Sequence, residues 1–236
     1  MKRIIPATII MLLAVTQLQA QMVAYSDPAQ AYNKLLIDKN DGSSYSRIGT
    51  FKVIGSSYLF GEKQTGSVYT KDGTALHIPV SYNTYTQQLE AYTAGQDKPI
   101  LKDIDAVDSF RLEPTKISDY TKEMFFVNAL HAGATEKAFF QVVYEGSKYN
   151  LYKKYKSVLG YVSTNYIQSE LREFDLEYEY YYSDKTTKQV KKLKASASSV
   201  RKEFKGVKDL TGVADETSFG ANPENALLKV FIVLNQ

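Results

Sequence analysis

From about residue 51 to residue 194 the chain reads with a period of two. Leu76, Ile78, Val80 and Tyr82 alternate with His77, Pro79 and Ser81. Successive side chains of a strand point to opposite faces, so this run predicts a half-buried strand. Lys71-Asp72-Gly73 before it suits a hairpin turn, because Asp-Gly tolerates positive φ, and residues 66–70 are the partner strand. Asn83-Thr84 and Gly95-Gln96-Asp97 mark reversals on either side of a strand at 87–93, and 107–112 is the next. Apolar runs at 125–130 and 139–145 follow. In the second, Phe140, Val142 and Tyr144 share one face and Phe139, Gln141 and Val143 the other. Gly146-Ser147 then turns the chain into a strand at 148–156, while 163–172 fits a helix or a loop equally well.

A last hairpin joins 173–182 to 187–194. Its first arm carries Glu173, Asp175, Glu177 and Glu179, and its second Lys188, Lys191, Lys192 and Lys194. Setting Tyr182 against Thr187 places Glu177 opposite Lys192, Asp175 opposite Lys194 and Leu176 opposite Leu193. Opposite charges across a ladder each stabilise it by a few tenths of a kcal/mol and favour that register.

Helical signals flank this region. Asp27-Pro28 starts a short opening helix, with Tyr32, Leu35 and Leu36 on one face, and a loop at Gly42-Ser43-Ser44 ends it. Residues 196–205 predict a helix closed by Gly206. Asn222-Pro223-Glu224 starts another: a capping oxygen, a proline where no donor is needed, and an acid in the first turn. The expected fold class is mainly β with C-terminal helices (β+α). Its geometry is a curved antiparallel meander of roughly eight to ten strands, or an incomplete barrel, packed on helices, with a β-sandwich as the alternative.

The N-terminus reads as a secretory leader over residues 1–20. Lys2 and Arg3 precede an apolar run from Ile4 to Val15, and a polar stretch closes on Ala20. The run is short for a permanent anchor, which needs roughly 20 apolar residues. Residues 21–236 are then one mature domain, with a β meander over 51–194 and a helical part over 195–236. Lys2 and Arg3 leave with the leader and no acid does, so the net charge of +3 falls to +1. Nucleic acid is not an expected partner of so balanced a chain. With no cysteine in the sequence, neither a lipid anchor nor a disulfide is available. No later stretch is apolar enough to span a bilayer. The expected location is periplasmic or extracellular.

Several pieces together resemble an uncharacterised exported protein type of Bacteroidota. They are Gly55-Ser56-Ser57-Tyr58-Leu59, the strand pair ending in Tyr82-Asn83, and Asp108-Ser109-Phe110. The run from Phe139 to Gly146 leading into Leu151-Tyr152-Lys153 belongs with them, as do the leader ending and the terminal helix. The resemblance covers most of the mature chain. It implies a fold and a cell-envelope or extracellular location, and it carries over no functional residue.

Catalytic and metal signatures fail on spacing. His77 and His131 are the only histidines and no second ligand stands at short spacing from either. Gly-x-Ser-x-Gly is absent, and Gly55-Ser56 and Gly66-Ser67 read as turns. Counting back from Gly42 puts Ile37 and Lys39 at the first and third positions of a calcium loop, which needs oxygen ligands there. The acids of 173–179 line one strand face and read as a solvated, charge-paired ladder. No cofactor is called for.

The unusual feature is 19 tyrosines with no tryptophan. Tyrosine joins apolar area to a polar tip and suits binding faces. The candidate interaction surface is Tyr149, Tyr152, Tyr155, Tyr178, Tyr180 and Tyr182. The expected function is a non-catalytic exported envelope protein that binds a partner protein, or an apolar or saccharide ligand. The alternatives are a structural subunit of a surface assembly and a hydrolase whose site is not visible in sequence. Intact mass of the exported protein should be lower by the first twenty or so residues; a full-length mature species would reject the leader.

Overall fold

In the computed structural model, which describes residues 46–48, 51–93, 95–96, 98–114, 123–161 and 171–236, the alternating region becomes one open sheet of twelve strands. In chain order these are β1 (Ser46–Ile48), β2 (Phe51–Ile54), β3 (Gln64–Thr70), β4 (Gly73–Asn83), β5 (Gln88–Ala91) and β6 (Ile100–Lys102). Then come β7 (Ser109–Leu112), β8 (Met124–Asn128), β9 (Phe139–Glu145), β10 (Tyr149–Tyr161), β11 (Leu171–Asp184) and β12 (Gln189–Leu193). The spatial order is β1-β2-β11-β10-β9-β8-β7-β3-β4-β5-β6, with β12 also beside β11. The meander breaks where β7 returns to pair with β3, and β2 lies parallel to β11. The sheet is not closed into a barrel.

It is nevertheless strongly curled. Val68, Val80, Tyr82, Leu89, Phe110, Phe126, Phe139 and Tyr155, from strands on both sides of the β7–β8 pair, meet in one buried cluster. Phe110 and Phe126 stack at 4.6 Å, and Tyr82 stands edge-on to both and to Phe139. The curl brings the β4–β5 turn onto β10. There Ser157 N donates to Thr84 O (3.2 Å), the two hydroxyls lie 2.7 Å apart, and the Gln87 amide donates to Tyr155 O (2.9 Å). Gly66 sits at a bulge where β3 is squeezed between β4 and β7. A Cβ there would fall 2.5 Å from Arg111 O, so only glycine fits.

Three helices cover the other end of the same face: α1 (Ala197–Glu203), α2 (Glu216–Ala221) and α3 (Pro223–Leu234). The cap of α3 is the one expected, Asn222 accepting from Asn225 N, whereas α1 is capped by Ser196, which accepts from Ser199 N, and ends at Glu203, short of the expected Gly206. Helix α2, capped by Asp215, was not anticipated because its six residues carry too short a period to read. Phe204, Leu227, Val230 and Phe231 bury against Leu151, Tyr180, Tyr182 and Leu193. Asn235 clips the end of α3 to the β9–β10 turn: its Oδ1 accepts from Lys148 N (2.7 Å) and Tyr149 N (3.0 Å). A side chain on Gly146 would overlap it.

Several expectations need correction. The last hairpin pairs Tyr182 with Lys191 and Tyr180 with Leu193, four residues away from the charge-matched register. β11 runs on to Asp184, whose carboxylate accepts from Thr186 N (2.8 Å) and whose carbonyl accepts from Lys188 N (2.8 Å), so turn chemistry moves the reversal along the chain. Glu177 and Asp175 therefore face Lys156 and Val158 of β10. In β9 a register shift against β10 skips Val143 and carries Tyr144 to the helix-covered face beside it, leaving Phe140 and Val142 on the other. Leu76 is 58% exposed, because β4 is buried only from Val80 onward. The residues of the leader, the opening helix, the Asp38 to Gly42 turn and 163–170 lie outside the described residues, and Leu171 and Arg172 belong to β11.

Phe126→Ala should cost roughly 3–5 kcal/mol in urea unfolding, while Leu76→Ala should stay within about 0.5 kcal/mol. Equal losses would contradict this placement of the core.

Candidate functional site

β11 is the longest strand, with 14 residues, and β10 pairs with it from Arg172 to Asp184. Its other edge is shared. β2 takes Leu171–Glu173 and β12 takes Tyr180–Asp184. On that edge, residues 174–179 between them pair with no strand among the described residues, while β10 holds their opposite edge. β2 leaves because Gly55, at φ +81°, turns the chain against Phe174. β12 leaves because Ser196 must become the cap of α1. The open stretch spans roughly 20 Å at strand rise.

Its two faces differ. Leu176 and Tyr178 project on one side, 46% and 51% exposed. Asp175, Glu177 and Glu179 project on the other. Beside Tyr178, where β12 peels away, lies a groove of about 600 Å³ lined by Tyr178, Tyr180, Leu193, Ala195 and Pro223, with Glu179, Lys192 and Lys194 at its margin.

A buried cation underlies this groove. Lys153 of β10 is 5% exposed, and its Nζ lies 2.6 Å from Glu224 Oε2 in the first turn of α3. The ammonium also sits 4.4 Å from the Tyr178 ring centre and 4.9 Å from that of Tyr155. Tyr180 OH donates to the same Glu224 oxygen at 3.0 Å. A cation against the face of a ring holds it by its quadrupole, so Lys153 orients Tyr178 from beneath. On the far side of Glu224 is a more polar cleft of about 360 Å³, with Gln141, Asn222 and Asn225 among its lining.

Of the acids on the edge, Glu179 is engaged. Lys192 Nζ stands 2.5 Å from it and Tyr181 OH donates to it at 2.8 Å. The lysine bond lowers its carboxyl below the usual range. Asp175 and Glu177 have no cation within ion-pair distance among the described residues.

The six tyrosines singled out by sequence are not one surface. Tyr180 and Tyr182 are buried under the helices and Tyr149 packs beside them. Tyr155 belongs to the curled core, and Tyr152 lies on the opposite face of the sheet against Phe140. Tyr178 alone of the six is exposed. His77 Nδ1 lies 2.6 Å from Glu113 and His131 Nδ1 3.4 Å from Asp108, at separate places. Among the described residues no three histidines or acids cluster as a metal site would need.

No family model, curated protein or solved structure matches this chain.

The chemistry of the site therefore rests on its own geometry. It offers open main-chain donors and acceptors, an apolar groove on one side and acids on the other. Sequence reasoning missed the open edge, since alternation does not say which strand lies next to which. It also missed Lys153, one of several lysines between tyrosines and marked by nothing local.

Burial raises the phenols of Tyr82, Tyr92, Tyr181 and Tyr182, Tyr92 to about 12. A raised folded pKa gives stability that is complete below the unfolded value, about 10, and is lost as pH climbs through the folded values. Phenolate absorbance from these four should thus appear only well above pH 10, together with loss of the fold. A single smooth titration near pH 10 with the fold intact would contradict their burial.

Proposed function

We propose that this is an exported, non-catalytic cell-envelope protein that binds an extended segment of a partner protein along the edge of β11. The observation that carries the reading is the juxtaposition of an unpaired stretch, 174–179, with the apolar groove beside Tyr178. An added strand satisfies main-chain groups and sends alternate side chains to opposite faces. A polypeptide is the ligand class that uses both features at once, whereas a sugar or a lipid would use the groove and leave the ladder open. Export is supported by the basic, apolar and small-residue order of residues 1–20.

Charge sets the partner's pattern. Side chains directed to the groove face meet Leu176 and Tyr178 and are apolar. Those on the other face meet Asp175 and Glu177 and are basic. The partner segment alternates the two over about six residues. A structural subunit of a surface assembly would use the same edge permanently, so the two readings differ in lifetime and not in place.

The test is a synthetic hexapeptide of alternating lysine and valine, against one of the same composition in two blocks. The alternating peptide should bind at least tenfold more tightly and should slow amide exchange between Phe174 and Glu179. Tyr178→Asp should abolish the preference. Equal binding of both peptides, or protection elsewhere in the sheet, would overturn the reading.

A further inference from the structure

Charge is segregated along this chain more sharply than its balance suggests. Residues 185–208 hold nine lysines and arginines and one acid, Glu203. That segment is net +8 in a chain of net +3, so everything else together is net −5. Turn, strand and helix periods would scatter these cations, but four of them converge. Arg201, Lys202, Lys205 and Lys208 line one groove of about 490 Å³ with Asp209, Leu210 and Thr211.

The acids nearby offset it only in part. Arg201 stands 3.5 Å from Glu216 and pairs with it, while Glu203 is 3.9 Å from Lys191 on β12. Asp209 is exposed in the same groove, its Oδ1 accepting from Thr211 N (3.0 Å) and Thr211 Oγ1 (2.7 Å). Lys202 and Lys205 have no ion-pair partner among the described residues. Lys208 Nζ donates to Val233 O (2.8 Å) in the last turn of α3, which fixes one wall of the groove.

An exposed apolar side chain stands in the chain between two of these lysines. Val207, between Lys205 and Lys208 in the turn after α1, is 53% exposed. Against a soluble polyanion, or against nucleic acid, an exposed valine there has no use. At a bilayer, lysines meet headgroup phosphates while an aliphatic tip enters the acyl boundary, and several cations acting together turn a weak contact into a stable one.

We infer that the groove formed by Arg201, Lys202, Lys205 and Lys208, together with the exposed Val207 between the last two in the chain, is a docking surface for an anionic lipid bilayer. It lies on the helical end of the molecule and is independent of the strand edge. Lipid association there would hold the protein at a membrane without a spanning segment; no helix among the described residues is long and apolar enough to cross one.

The experiment is sedimentation of the purified protein with vesicles of phosphatidylcholine alone or with one-third phosphatidylglycerol, at low and high salt. Every variant carries the same N-terminus, so the apolar run at 4–15 contributes equally. Binding should require phosphatidylglycerol and fall steeply with salt. Lys202→Glu with Lys205→Glu should weaken it by at least roughly tenfold, since each cation near such a surface is worth about fivefold. Val207→Asn, which changes no charge, should weaken it on vesicles and leave binding to dextran sulfate unchanged. Thermal melting of each variant reports that the fold is kept. Binding that ignores lipid charge, that survives the double reversal, or that is equally tight on dextran sulfate and indifferent to Val207→Asn would overturn the inference.

Discussion

The ring of Tyr82 joins the two kinds of force that shape this sheet. Its faces and edges are taken by Phe110, Phe126 and Phe139, and the stacked phenylalanine pair gives it a rigid wall to lean on. Its hydroxyl donates to Gln87 Oε1 at 2.7 Å, and the amide of the same glutamine reaches Tyr155 O across the opening of the curl. Apolar packing bends the sheet and polar contacts hold the bend, and one side chain takes part in both. The curl engages β3 to β10 on a common interior, while the helices lie on the same face at β9 to β12. β11 therefore sits at the junction of two covers, and neither extends over Leu176 and Tyr178.

The terminal helix is fixed at both of its ends. Glu224 in its first turn meets the buried Lys153, and Asn235 after its last turn is seated in the β9–β10 turn. A buried ion pair gains little net stability over well-packed apolar groups, because both partners lose water. Its value here is positional. The ammonium stands between Glu224 and the faces of Tyr155 and Tyr178, so the start of α3 and the margin of the groove share one anchor.

What the sequence discloses follows the range of the interactions. The cap at Asn222 is read correctly because capping is settled within four residues. Strand 139–145 is read to its bounds, and 66–70 and 148–156 are read in place though β3 begins at Gln64 and β10 runs on to Tyr161, because alternation and turn residues are local too. The register of the last hairpin is misread because cross-strand charge is worth less than the turn bonds gathered by Asp184. The tyrosines are misread for a different reason. Period two assigns Tyr178, Tyr180 and Tyr182 to one face, but which of them is covered depends on helices that begin beyond the end of the hairpin, from Ala197 to Pro223. The open edge depends on the departures of β2 and β12, and only the second has a local sign, the serine that caps α1.

The parallel pair of β2 and β11 bears on the order in which the chain assembles. Lys52 lies against Leu171, so 119 residues separate the partners. Hairpins such as β3–β4 and β9–β10 close small loops and form early, whereas a contact of this span waits until most of the chain has collapsed. As the chain emerges from its N-terminal end, β2 has only β1 beside it until the last third of the protein has followed. The seam at β11 is the final one to be sewn, and until then a run of main chain longer than the native opening stays available to whatever chaperone is at hand.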